Sequence, residues 1–175
     1  MSNEVVDLYL FATDRGSQSE VQQRSGQNSL VDFGRLVAGL PQQQVGSQVQ
    51  WSVQGQGTPA GKRFIKVEAA ASVTLECQRC LQPFVLPVQV ENRLEVVRSP
   101  SELDGDEDDE TERIVGSPRF DLLELIEDEL ILSLPSVPKH EVCPSAPGFS
   151  GGSGEPVAEV VRPSPFAVLE RLKKD

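Results

Sequence analysis

The segment from Ile65 to Glu76 constrains the fold more than any other part of this chain. Its side chains alternate between an apolar series and a largely polar one. The apolar series is Ile65, Val67, Ala69, Ala71, Val73 and Leu75. A period of two over this length predicts a β-strand with one face on a core. A second alternating series, from Val88 to Val96, follows too soon for a crossover connection, so we predict an antiparallel hairpin.

Weaker patterns precede this hairpin. The apolar run at 5–11 predicts a first strand, and residues 48–54 alternate as a half-buried strand. Between them, residues 30–40 carry apolar side chains at helical spacing, with Ser29 at the N-cap position. Pro41 ends this predicted helix.

The strongest helical pattern begins either at Ser117-Pro118 or at Asp121, and it ends at Pro135. Asp121 and Glu124 have the spacing of a capping box, and the apolar residues that follow cover a broad face. The acidic run at 127–129 is interpreted as a solvated face of this helix. We therefore predict an α+β fold: an antiparallel β-sheet with a long central hairpin, packed by two or three short helices. An acidic loop and a Pro/Gly-rich C-terminal segment complete it.

The chain is predicted to form a single domain, 1–175. An acidic flexible loop is expected at 99–117, because residues 102–112 hold eight acids and no base. A Pro/Gly-rich flexible segment is expected at 141–164. A C-terminal helix is predicted at 165–174, and a helix this short must pack against its own domain or a partner.

The formal net charge of −11 argues against a broadly basic surface of the kind that binds nucleic acid. Because many of the acids are concentrated at 102–112, the remainder could still present a local basic face. The candidate bases are Lys62, Arg63, Lys66, Arg79, Arg93, Arg98, Arg171, Lys173 and Lys174. Aromatic residues do not interleave with these bases as in an RNA-stacking surface. Scattered surface bases are the simpler interpretation, and the residues that would bind nucleic acid are unknown.

The first residues lack the basic region and apolar run of a signal peptide. No apolar stretch approaches the ~20 residues that a membrane helix needs. We therefore expect a cytoplasmic protein with no membrane partner. Thiols stay reduced in the cytosol, where a CxxC pair favours metal or redox chemistry over a structural disulfide.

Two pairs of residues have the spacing of metal ligands. Cys77 and Cys80 are separated by two residues, as are His140 and Cys143, and together they use every cysteine and histidine of the chain. A two-residue spacer lets both members of a pair bind one ion, so the four predict a structural Zn²⁺ site. Two alternatives stay open: ordinary reduced thiols beside a mobile loop, or a thiol-redox pair.

Support for catalysis is thin. The only histidine lies in a predicted loop, and the sequence contains no glycine-rich phosphate loop or metal-carboxylate motif. We therefore expect a protein that is not an enzyme and has no small-molecule substrate.

Several strings resemble those of one protein family. They are LECQRCLQPF at 75–84, DLLELIEDELILSLP at 121–135 and PFAVLERLK at 165–173. From about residue 60 onward the chain resembles the bacterial YceD family, the large ribosomal RNA subunit accumulation proteins. The resemblance implies a role in synthesis, processing or stability of 23S ribosomal RNA, with no known catalytic activity. Some members carry further cysteines after a pair of prolines, here Pro135 and Pro138, and in this chain His140 stands at one such position.

Three functions of different classes follow from these features. The first is a non-enzymatic factor in large ribosomal subunit biogenesis, which binds a large-subunit precursor, rRNA or a basic ribosomal protein. The acidic segment suits a basic protein partner. The second is a zinc-stabilised protein-interaction module not linked to ribosomes. The third is a thiol oxidoreductase that uses Cys77 and Cys80.

Overall fold

The structure is a computed structural model that describes residues 4–13, 22–103 and 111–144. The chain divides into two units, Met1–Cys143 and Pro144–Asp175. Nearly all of the second unit lies outside the described residues, and so does the predicted helix at 165–174. The single-domain organisation therefore stays a prediction.

Five strands form the main sheet. They are β2 (Gln23–Ser29), β3 (Gln48–Gly57), β4 (Arg63–Glu76), β5 (Pro83–Val97) and β6 (Arg113–Val115), and their order in the sheet follows this sequence order. Strands β2 to β5 are antiparallel to their neighbours, which confirms the predicted α+β fold and its long central hairpin. The short strand β6 pairs parallel with β5, an addition to the predicted sheet.

One face of the sheet carries the core. The apolar series of β4 points into this core, as its alternation predicts, and Val49, Trp51 and Val53 of β3 lie on the same side. Helix α3 (Leu122–Ser133) packs across β4 and β5. Its fully or nearly fully buried residues are Leu122, Leu125, Ile126 and Leu130. Each such side chain contributes roughly 1.5–3 kcal/mol by its burial.

The N-terminal apolar run differs from the predicted strand. Only β1 (Val5–Val6) is extended, and it pairs antiparallel with β7 (Phe120–Asp121) in a separate two-stranded sheet. Asp7 then accepts a hydrogen bond from the backbone N–H of Leu10 and caps a short helix, α1 (Leu8–Phe11). A run of apolar residues has no period of its own, and here the cap at Asp7 starts a helix.

The predicted helix at 30–40 is shorter than its pattern suggests. Residues Leu30–Asp32 form a 3₁₀ turn, and α2 spans only Gly34–Val37. Ser29 ends strand β2 and occupies the predicted N-cap position, here of the 3₁₀ turn, but its side chain makes no capping hydrogen bond. Strand β2 itself occupies a polar stretch in which the sequence shows no strand pattern.

Helix α3 confirms the strongest helical prediction and corrects one detail of it. The Asp121 carboxylate accepts a hydrogen bond from the backbone N–H of Leu123, 2.9 Å away. Glu127, however, is only 8% exposed and is not part of a solvated face. Its carboxylate accepts hydrogen bonds from the backbone N–H groups of Arg35 and Leu36, at 2.7 and 3.1 Å. Glu127 is therefore a structural residue that fastens α2 to α3.

The predicted acidic loop is described at its two ends. Pro100–Glu102 form a 3₁₀ turn with a capping box between Ser99 and Glu102, and β6 begins at Arg113. The acids at 104–110 lie outside the described residues. Among the helices that the structure describes, none is long and apolar enough to cross a membrane.

Candidate metal centre

The first pair of candidate ligands lies in the turn of the central hairpin. Cys77 follows β4 directly, and its carbonyl accepts a hydrogen bond from the N–H of Leu81 at 2.8 Å. Leu81 has a φ of 59°, in the left-handed region that a side chain of this size rarely adopts. The N–H of Cys77 donates to the carbonyl of Gln82, which closes the turn. This tight turn holds Cys77 and Cys80 close together.

The second pair arrives on the segment that follows α3. Its approach is set by a backbone hydrogen bond, in which the N–H of Gln78 donates to the carbonyl of Pro138 at 2.9 Å. The ring of His140 packs against the ring of Phe84 on β5, with centroids 4.7 Å apart. Two contacts from the hairpin thus position the 138–143 segment beside the cysteine turn.

The structure brings the four candidate residues together. The ligand atoms of Cys77, Cys80, His140 and Cys143 all lie within 4.8 Å of one another. The Sγ atoms of Cys77 and Cys143 are 3.7 Å apart, and the Cys80 Sγ is 3.4 Å from Nδ1 of His140. A tetrahedral zinc site with ordinary bond lengths requires about 3.8 Å between two sulfurs and about 3.6 Å between sulfur and nitrogen. These two observed separations fit such a site closely.

The cysteines of the cluster ionise differently. Burial of Cys77 opposes its ionisation, but backbone N–H groups of His140, Arg79 and Cys80 stabilise the thiolate and lower the pKa of Cys77 to about 5. Burial raises the pKa of Cys80, and the neighbouring sulfurs of Cys143 and Cys77 raise it further. A thiolate is the form that binds metal, so Cys77 already has the favoured charge state at neutral pH.

Arg79 connects the cysteine turn to the 138–143 segment. Its Nε donates to the Sγ of Cys143 at 2.8 Å, and one terminal nitrogen donates to the carbonyl of His140 at 3.0 Å. The hydrogen bond with Cys143 is the largest factor that raises the pKa of Arg79, so the guanidinium stays charged. Three thiolates bound to Zn²⁺ would carry one more negative charge than the ion neutralises, and the Arg79 cation would offset it.

The sequence placed Arg79 among scattered surface bases, and the structure corrects this. Its position between the two cysteines of the turn was the available signal. Lys66 and Arg93 lie opposite each other on β4 and β5, but Lys66 pairs with Glu68 and Glu91 at 2.7 and 2.9 Å, so its charge is offset. Arg93 packs over the Phe64 ring, 3.8 Å from its centroid. Arg171, Lys173 and Lys174 lie outside the described residues.

Comparisons with known proteins identify the family to which the chain is similar. A family model described as Large ribosomal RNA subunit accumulation protein YceD matches residues 65–173, which include all four candidate ligands. The Large ribosomal RNA subunit accumulation protein YceD of Haemophilus influenzae is 33% identical over 118 residues, 63% of this chain. The match covers 65% of that relative's length. No solved structure matches. Since the family model covers more than half of the chain, the chain belongs to the YceD family.

Proposed function

We propose that this protein is a non-enzymatic factor for the accumulation of 23S ribosomal RNA, and that it acts in the cytoplasm during large ribosomal subunit biogenesis. The observation that supports this most is the family match over 65–173, since the family is described by large ribosomal RNA subunit accumulation. The Haemophilus influenzae relative has the same description. A direct partner would be a large-subunit precursor, rRNA or a basic ribosomal protein.

Depletion of the protein tests this proposal. Cells in which expression is shut off should show a lower ratio of 23S to 16S rRNA, and renewed expression should restore the ratio. An unchanged ratio after depletion would contradict the proposed function. The alternative, a protein-interaction module without a link to ribosomes, predicts that the protein is absent from all fractions that contain large-subunit precursors.

We further propose that Cys77, Cys80, His140 and Cys143 hold a structural Zn²⁺. Sites with four protein ligands are closed and serve structure, whereas catalytic zinc sites keep one position for water or substrate. The cluster joins the hairpin turn to the segment after α3, whose described residues, 134–144, form no helix or strand. A bound ion would supply a cross-link between these two parts of the chain. The turn also places Cys77 and Cys80 between two strands, unlike the helix N-terminus of thioredoxin-type redox pairs.

Metal analysis of the purified protein tests the zinc proposal. One zinc per chain is expected in the wild type and none in the double variant Cys77→Ser, Cys80→Ser. Val142→Ala is a suitable control, because Val142 lies between His140 and Cys143 but is 83% exposed. It should keep its zinc. A wild-type protein purified without chelators that holds no zinc would contradict the proposal.

A further inference from the structure

Two arginines, one at the start of β4 and one just after the end of β5, meet at one aromatic ring. Arg63 begins β4, Arg98 directly follows β5, and Tyr9 lies in α1. The guanidinium carbons of Arg63 and Arg98 lie 3.7 and 4.6 Å from the centroid of the Tyr9 ring. A ring face attracts cations, so the Tyr9 ring stabilises both guanidinium groups beside it.

Each guanidinium is also fixed through its Nε atom. Arg63 Nε donates to Oγ1 of Thr13 at 3.0 Å, and this hydroxyl in turn donates to the carbonyl of Tyr9 at 2.9 Å. Arg98 Nε donates to the Tyr9 hydroxyl at 2.5 Å. Within residues 4–13, 22–103 and 111–144, the terminal nitrogens of both arginines have no hydrogen-bond or carboxylate partner. The guanidinium groups of Arg63 and Arg98 are thus held in position, while their terminal N–H groups remain available as hydrogen-bond donors.

The nearby acids do not neutralise this pair. A cavity of about 200 Å³ is lined by Tyr9, Arg63 and Arg98 together with Glu95 and Glu102. Glu95 is already paired, with Nζ of Lys62 at 3.3 Å and Nε of Arg113 at 3.1 Å. The Glu102 carboxylate accepts hydrogen bonds from the N–H and hydroxyl of Ser99.

We propose that Arg63 and Arg98 bind a phosphate group of RNA. Guanidinium forks match the geometry of phosphate oxygens and bind them with two parallel hydrogen bonds, which a flexible ammonium cannot do. Because both arginines are positioned before a ligand arrives, little side-chain freedom is lost on binding. The site is local, so it is compatible with a formal net charge of −11. The choice of RNA as the source of the phosphate rests on the proposed function.

Fluorescence anisotropy with a short labelled single-stranded RNA tests the site, with the full chain at several salt concentrations. The double variant Arg63→Gln, Arg98→Gln should bind about tenfold more weakly or worse at low salt. The slope of log affinity against log salt should fall by about 1, as expected when a phosphate contact is lost. The control Arg24→Gln, Lys139→Gln makes the same change in charge at two exposed positions and should keep most of the affinity.

Further variants and ligands separate the possible outcomes. Arg63→Lys, Arg98→Lys keeps the charge but loses the forks, so its RNA affinity should lie between wild type and the glutamine variant. Thermal unfolding should show that all variants are folded. Equal losses in the glutamine variant and in the control, or no RNA binding by the wild type, would overturn the proposal. So would arginine-dependent binding of polyglutamate without binding of RNA. If cells depleted of the protein still lost 23S rRNA in spite of any of these results, the proposed function would stand and only the phosphate site would be ruled out.

Discussion

The carboxylate of Glu127 lies 2.7 Å from the backbone nitrogen of Arg35, and it also accepts a hydrogen bond from Nε of the same residue at 2.8 Å. Helix α2 has only four residues, too few to be stable alone. Its first backbone N–H groups have no partner within the helix, and Glu127 of α3 supplies one. A charged side chain from one helix therefore completes the start of another.

Replacement of Glu127 by alanine should lower the free energy of unfolding by about 2–3 kcal/mol. The reason is that one buried and one partly buried N–H group, those of Leu36 and Arg35, lose a charged acceptor. Urea denaturation of the wild type and the variant measures the change. Asp128→Ala is the control: Asp128 also contacts Arg35, at 2.7 Å, but its side chain is 53% exposed. Asp128→Ala should lower the free energy of unfolding by less than about 1 kcal/mol. Equal losses for the two variants would contradict the role of Glu127.

The substitution Gly55→Ala should destabilise the protein by roughly 1–3 kcal/mol. A Cβ atom at this position on β3 would come 2.1 Å from the backbone carbonyl oxygen of Phe11, so α1 would have to move away from the sheet. Gly34→Ala is the matched control, since nothing lies within 4 Å of its added methyl group. Thermal unfolding should show a clear drop for the first variant and little change for the second. A neutral Gly55→Ala would mean that α1 does not pack as described.

Arg79→Gln should weaken zinc binding by about tenfold or more, because it removes a charge-assisted hydrogen bond to Cys143 and the cation that offsets the thiolates. Competition with a chromophoric chelator measures the affinity. Arg79→Lys should lose less zinc affinity than Arg79→Gln, since lysine keeps the positive charge. Arg24→Gln, which removes an exposed charge elsewhere, should have no effect. If Arg79→Gln and Arg24→Gln bound zinc equally well, Arg79 would have no part in the centre.

Glu129→Gln should raise the free energy of unfolding at pH 7 by a small amount, under about 1 kcal/mol after screening by solvent. Partial burial raises the pKa of Glu129, and the nearby charges of Glu112 and Asp128 also raise it, although Asn92 donates a hydrogen bond to its carboxylate. The folded protein therefore favours the neutral acid, and the wild type loses stability relative to the variant as pH rises through this raised pKa.

The advantage of Glu129→Gln should accordingly shrink as pH falls toward the ordinary value for glutamate, 4.5, where both side chains become neutral. Urea denaturation of both proteins at pH 7 and near pH 4 measures the difference. An advantage that grew at acid pH would show that the carboxylate is stabilised in the fold.

The sequence predicts the centre of the fold well and its margins poorly. The hairpin of β4 and β5 and helix α3 each bury one face, so their apolar residues repeat with a clear period. Strand β2 is an edge strand whose polar side chains are mostly exposed, and it therefore has no such period. In α1 and α2, four residues each, capping and tertiary contacts decide the conformation.

The candidate metal ligands could be found from residue type and spacing alone, because few cysteines and histidines were available. The contacts of Glu127 with Arg35 and of Tyr9 with Arg63 and Arg98 could not. In each case the partners lie on separate elements, more than fifty residues apart in sequence. Only the packing of the sheet against its helices brings them together.

The role of the candidate metal centre is tested most directly by the ratio of 23S to 16S rRNA in cells depleted of this protein and supplied with a substituted copy. The wild-type copy should restore the ratio. The variant Cys77→Ser, Cys80→Ser, expressed at an equal level, should not, because it loses the proposed zinc cross-link between the hairpin turn and the 138–143 segment. Equal restoration by both copies would contradict the claim that this centre serves the protein's function.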